Sequence, residues 1–131
     1  MTDQELIARA AAMRDRAYAP YSRFTVGAAL LCADGSVFTG CNVENASYPC
    51  GICAERTVAV KAVSEGHTDF VRLAVIAGSD EPCTPCGICR QVLYEFAPEL
   101  EILCCRADGT FLRTTLRELL PHGFGPASLT E

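Results

Sequence analysis

Three cysteines in this chain stand at spacings from which a metal could collect them. Cys86 and Cys89 lie three positions apart in Pro85-Cys86-Gly87-Ile88-Cys89-Arg90-Gln91, and Cys53 opens Cys53-Ala54-Glu55-Arg56. A spacing of three puts two side chains on one helical turn, so both sulfurs can face one ion while a third arrives from the start of another helix. A helix N-terminus is the positive end of a macrodipole and favours thiolate over thiol. Zinc is the ion this donor set predicts. A catalytic zinc has three protein ligands and leaves a place for water, whereas a structural zinc closes its tetrahedron with four. Cys83 could supply a fourth sulfur, because Cys83-Thr84-Pro85-Cys86 repeats the same spacing. Pro85 resists continuing a helix back through Thr84, which predicts that Cys83 lies on the preceding loop, away from the shared face.

Glu55 follows Cys53 by two positions, close to the metal but off the spacing of a natural co-ligand. Proton transfer is the chemistry that suits it, and stabilisation of a helix N-terminus is the bland alternative. Three thiolates around a divalent ion leave surplus negative charge and a weaker Lewis acid. Arg56 and Arg90 could draw that charge off by donating to ligand sulfurs, or could simply be solvated. Asn42 and Glu44 alternate at the end of a strand and so share a face, a pairing suited to vicinal sugar hydroxyls or to an ordinary loop exit.

These groups need elements to hold them. Thr2 with Glu5 is a capping-box signature, and Leu6, Ala10, Met13 and Ala17 mark one face of an opening helix stopped by Pro20. Phe24 to Cys32 and Val37 to Glu44, joined by Ala33-Asp34-Gly35-Ser36, predict a hairpin. Cys53 to Glu65 predicts a helix ended by Gly66, and Val71 to Ala77 a buried strand. A second helix follows Pro85, with Ile88, Val92, Leu93 and Phe96 on one face, and ends at Pro98. Glu101 to Arg106 and Thr110 to Arg113 predict another hairpin, before a short helix over Thr115 to Leu120. Alternating helices and strands predict an α/β fold of three layers, a mixed sheet of about five strands with helices on both faces.

With 131 residues, half of them apolar, the chain suits a single domain over 1–131. Sixteen acidic against eleven basic residues give a net charge of −5, and no basic run tracks a phosphate backbone. A nucleic acid polymer is therefore an unfavourable partner, while a neutral nucleoside needs only a pocket with a few placed hydrogen bonds. No apolar stretch is long enough for a membrane span and no signal-peptide pattern is present, so a cytoplasmic protein is expected. Nine cysteines, an odd number, fit a reducing compartment. Cys32, Cys41, Cys104 and Cys105 fall in apolar strand-like runs and read as core.

Together the two cysteine motifs resemble those of the cytidine deaminases, specifically the short, three-cysteine, homotetrameric kind. Tyr21-Ser22-Arg23-Phe24, Val26-Gly27-Ala28-Ala29-Leu30, the run from Gly40 to Pro49, Glu118-Leu119-Leu120-Pro121 and Phe124-Gly125-Pro126 extend the likeness over nearly the whole chain. The resemblance implies one zinc per subunit on Cys53, Cys86 and Cys89, with Glu55 as proton shuttle. It implies Asn42 and Glu44 on the ribose, Phe24 against the base and the Ala54 backbone on the pyrimidine. Ala46, Tyr48 and Phe124 would reach the pocket of a neighbouring subunit in a homotetramer. The implied reaction is hydrolytic deamination of cytidine and deoxycytidine to uridine and deoxyuridine with release of ammonia, a zinc-bound hydroxide attacking C4, as in pyrimidine salvage. A blasticidin-type nucleoside deaminase shares both zinc motifs but differs around the sugar-binding segment. A structural zinc-binding interaction module is the alternative from another class. Cys50 and Cys83 look additional to the family pattern.

Overall fold

The computed structural model describes residues 1–129, so the last two positions of the expected 1–131 domain lie outside the described residues. Helix α1 covers Asp3–Met13 and is capped by Thr2, whose side chain accepts from Glu5 N at 3.1 Å. A single 3-10 turn, Arg14–Arg16, ends it one turn earlier than the periodicity predicts, leaving Ala17 outside the helix. Strands β1 (Val26–Cys32) and β2 (Val37–Cys41) form the first hairpin, with Ala28 opposite Gly40. Helix α2 (Ala54–Ser64) leads to β3 (Phe70–Ala77), and α3 (Gly87–Tyr94) leads to β4 (Glu101–Cys105). Strand β5 (Phe111–Thr115) and helix α4 (Leu116–Leu119) follow.

The five strands form one mixed sheet in the order β2-β1-β3-β4-β5. Only β3 and β4 run parallel, with Val75 opposite Cys104. A parallel neighbour demands a crossover, and α3 supplies it. Alternating side chains then split the core. Leu6, Ile7 and Ala10 of α1 pack on Ala29, Ala74, Ile76 and Leu103, while Ala28, Leu30, Leu73, Val75 and Ile102 face α2 and α3. The three layers are those the sequence predicts. Val58 of α2 and Leu93 of α3 are fully buried, and each such side chain removed from water contributes about 1.5–3 kcal/mol. At Gly40 a Cβ would press on Val58 N at 3.1 Å, so the missing side chain lets α2 lie close on β2.

Several boundaries differ from expectation for identifiable reasons. Asn42 to Glu44 leave the sheet after Cys41, because Val43 pairs instead with Tyr18 and Ile52 in isolated bridges. On α3 the buried residues are Cys89, Leu93 and Tyr94, and Ile88 is 63% exposed. Ile88 lies about 100° round the helix from Cys89, on the side turned away from the sheet. Cys32, Cys104 and Cys105 are buried as read, but Cys41 is only half-buried, since it closes the edge strand and directs its thiol to Arg16 O.

Candidate active site

Helices α2 and α3 begin at the same end of the sheet, and a cysteine occupies the N-cap of each. Cys53 (φ −78°, ψ 156°) and Cys86 (φ −68°, ψ 171°) have the extended backbone of a cap, yet neither side chain makes a capping hydrogen bond. Their sulfurs point at one another instead. Cys53 Sγ lies 3.9 Å from Cys86 Sγ, and Cys86 Sγ lies 3.5 Å from Cys89 Sγ, one turn into α3. Among the described residues these three form the cluster able to hold a metal, all ligand atoms lying within 4.8 Å of one another. Tetrahedral zinc with bonds of about 2.3 Å would set its sulfurs about 3.8 Å apart, so the spacing already fits the ion.

The electrostatics of the cluster call for a cation. Hydrogen bonds from the Cys89 thiol and from Arg56 hold Cys53 well below the ordinary thiol range, while the same contact with Cys53, together with burial, drives Cys89 up. Three adjacent sulfurs can ionise together only when a charge such as zinc's is placed between them. Arg56 supplies part of the compensation by donating from Nη2 to Cys53 Sγ at 3.5 Å. Its Nε is buried with no hydrogen-bond partner among the described residues. Arg90 does not join it. Its Nε donates to Pro85 O at 2.7 Å and its Nη1 to Leu119 O at 2.8 Å, bracing the loop that carries Cys86. Cys83 stands apart from the cluster on the loop before α3, where its N–H donates to Cys105 O at 3.1 Å and burial pushes its thiol up to about 12.

Glu55 sits in the first turn of α2 and is 4% exposed. Burial pushes its carboxyl up to about 7, and the negative Cys53 adds to the rise while its own backbone N–H and Arg56 oppose it. A carboxyl poised there can take up and release a proton near neutrality, as a general acid-base group must.

A cleft of about 690 Å³ opens in front of these residues, within the size range of small-molecule sites. Phe24, Asn42, Glu44, Tyr48 and Ala54 all line it. Ala46 and Phe124 do not, and Phe124 is 58% exposed beyond α4. Tyr21 and Ser22, to which the sequence motif gave no role, also line the cleft and form a rim with Glu44. Glu44 Oε1 accepts from Tyr21 N at 3.0 Å and from Ser22 N at 3.1 Å, and Glu44 Oε2 accepts from the Ser22 hydroxyl. That hydroxyl in turn accepts from Phe24 N at 3.0 Å, and Arg23 between them takes a left-handed φ of 60°. A serine hydroxyl that accepts from the N–H two residues on closes an ordinary serine turn, a local propensity that the sequence carries at Ser22.

Similarity to known proteins agrees with this geometry. Residues 1–105 match the model of the cytidine and deoxycytidylate deaminase zinc-binding region. A cytidine deaminase of Halalkalibacterium halodurans is 50% identical over 125 residues, covering 95% of both chains. One from Sporosarcina psychrophila is 44% identical over 131 residues, covering 99% of this chain and 96% of the relative. The crystal structure of cytidine deaminase from Burkholderia pseudomallei superposes with a TM-score of 0.92 at 47% identity, covering 95% of this chain and all of that one. The fold and the sulfur site define a zinc-dependent hydrolytic deaminase. The chain belongs to the cytidine deaminase family.

Proposed function

We propose that this chain, acting as one domain over 1–131, deaminates cytidine and deoxycytidine to uridine and deoxyuridine with release of ammonia. The observation that carries the reading is a buried, proton-holding Glu55 beside the three-sulfur cluster at the floor of a nucleoside-sized cleft. Cys53, Cys86 and Cys89 would hold one zinc per subunit, and bound zinc supplies a water acidified toward about pH 7. Glu55 would take a proton from the attacking water and deliver it to N3 of the pyrimidine as the hydroxyl adds to C4. It would then take the proton of that C4 hydroxyl and pass it to the amino group, so that the C4–N bond breaks, ammonia leaves and the C4 carbonyl forms. A structural zinc module would have no use for a carboxyl held in that state.

The cleft residues orient the substrate. Phe24 stacks on the base, and the Ala54 backbone meets the pyrimidine. Glu44 accepts from the sugar hydroxyls, and Asn42 donates and accepts with the N–H and lone pair that its own bonds leave free. Ala46 and Phe124, which lie outside this chain's own cleft, serve the cleft of a neighbouring subunit in a homotetramer, and Tyr48, at the edge of its own cleft, reaches the neighbour's as well. In support, Tyr48 is 76% and Phe124 58% exposed on a single chain, large apolar surfaces of the kind that interfaces cover. The segment Asn42 to Tyr48 favours this reading over a blasticidin-type deaminase. The acidic balance and unpaired cysteines favour a cytoplasmic enzyme of pyrimidine salvage, acting on free nucleosides. Incubating the zinc-loaded protein with cytidine and with deoxycytidine, and following loss of the cytosine absorbance, tests the proposal. Turnover of both is expected, and silence with both overturns it.

A further inference from the structure

Beyond α4 the chain turns back over α3 as a strap. It bends at His122, which takes a left-handed φ of 55°, and then runs Gly123-Phe124-Gly125 across the ring of Tyr94. A Cβ on Gly123 would lie 2.8 Å from Cε2 and Cζ of that ring, and one on Gly125 would lie 3.0 Å from Cδ1 and Cε1. Both glycines therefore seat their backbone directly on different edges of one aromatic side chain, and Tyr94 itself is only 8% exposed. The residue between them is tied down as well, because Gln91, one turn earlier on α3, donates from Nε2 to Phe124 O at 2.8 Å. On the far side Gly125 N donates to Ser128 Oγ at 3.2 Å, and upstream Arg90 holds Leu119 O.

The backbone around Phe124 is thus fixed from three directions while its ring stays 58% exposed. The contacts with α3 therefore set the point from which the ring projects outward. We propose that Tyr94 and Gln91 are positioning residues that present Phe124 at a fixed height and angle to the substrate cleft of a second copy of this chain, and so set nucleoside affinity. The proposal rests on the reading above that Phe124 serves a neighbour's cleft. A backbone already fixed loses little further freedom on binding, so loss of the ring, or of the support beneath its backbone, weakens binding without touching the reacting atoms.

The test is a double-mutant cycle on the zinc-loaded enzyme, with KM and kcat for cytidine measured separately. F124A is expected to raise KM about tenfold with kcat held within about twofold. Y94L should raise KM at least about threefold in the wild-type background and add nothing in the F124A background. Y94F, which keeps the ring, should restore the wild-type KM. Should Y94L fail to fold, G123A and Q91M carry the same cycle, since the first lifts the strap off the ring and the second frees Phe124 O. A KM effect of the α3 or strap variants that survives undiminished in F124A, or no KM effect at all, overturns the proposal. An F124A enzyme with unchanged KM overturns instead the shared-cleft reading beneath it.

Discussion

Asn42 bridges the two ends of the segment that carries Phe24: its Nδ2 donates to Phe24 O at 2.8 Å and its Oδ1 accepts from Val26 N at 2.9 Å. One amide therefore fixes the backbone just before β1, and with it the Phe24 ring proposed to stack on the base, before any nucleoside arrives. N42A removes both bonds and leaves a half-buried N–H and a carbonyl unpaired. The expected loss is about 1–3 kcal/mol of stability, read by urea unfolding, together with a raised KM for cytidine. Unchanged stability would mean that water replaces the amide without cost.

Glu55 is the proton carrier of the proposed reaction, so E55Q keeps the shape and removes the chemistry. Zinc content should stay at one per chain while kcat falls at least ~100-fold, the lower range for general acid-base catalysis. Near-normal turnover of a zinc-replete E55Q would refute the role.

The same carboxyl makes the metal-free protein sensitive to pH. Its folded value of about 7 lies above the ordinary 4.5, so below pH 4.5 both folded and unfolded chains hold the proton and its contribution is fully present. As pH rises toward 7 the unfolded chain ionises first, and the stability is lost, up to a ceiling of about 3 kcal/mol. Glutamine cannot ionise. Thermal unfolding of the metal-free forms should therefore show E55Q gaining on the wild type between pH 5 and pH 8, and a constant gap would rule out a buried protonated carboxyl.

Cys83 and Cys89 should separate cleanly under substitution. C89S is expected to lose tightly bound zinc and activity together, whereas C83S should retain one zinc per chain and near-normal turnover, zinc being scored by elemental analysis and turnover by loss of the cytosine absorbance. Loss of zinc from C83S would show that this sulfur is a ligand after all.

Much of this architecture is legible in the residues alone, and the exceptions share a cause. The α1 cap at Thr2, the two hairpins and the pairing of Cys86 with Cys89 all follow from local spacing, while Cys53 joins them across thirty-three positions through the likeness of the two motifs to one family. What local spacing cannot carry is a partner chosen far along the chain. Ile88 fits an apolar helical stripe, yet it lies round the helix from the buried Cys89, in solvent. Arg90 follows a ligand cysteine directly, yet finds its acceptors at Pro85 and at Leu119. Ser22 and Glu44, twenty-two positions apart, close the rim only because the bridge at Val43 folds that segment beside Tyr18.

Cys53 and Cys86 hold positions where serine, threonine or aspartate would ordinarily finish off a helix, each worth about 1 kcal/mol there. With sulfur in both places, the leading amides of α2 and α3 forgo that bond from the side chain. A directed-evolution campaign scored on heat resistance of the metal-depleted protein would consequently enrich oxygen-bearing residues at these two sites, and would breed an inert enzyme. Any thermostabilisation effort on this scaffold has to freeze both codons first.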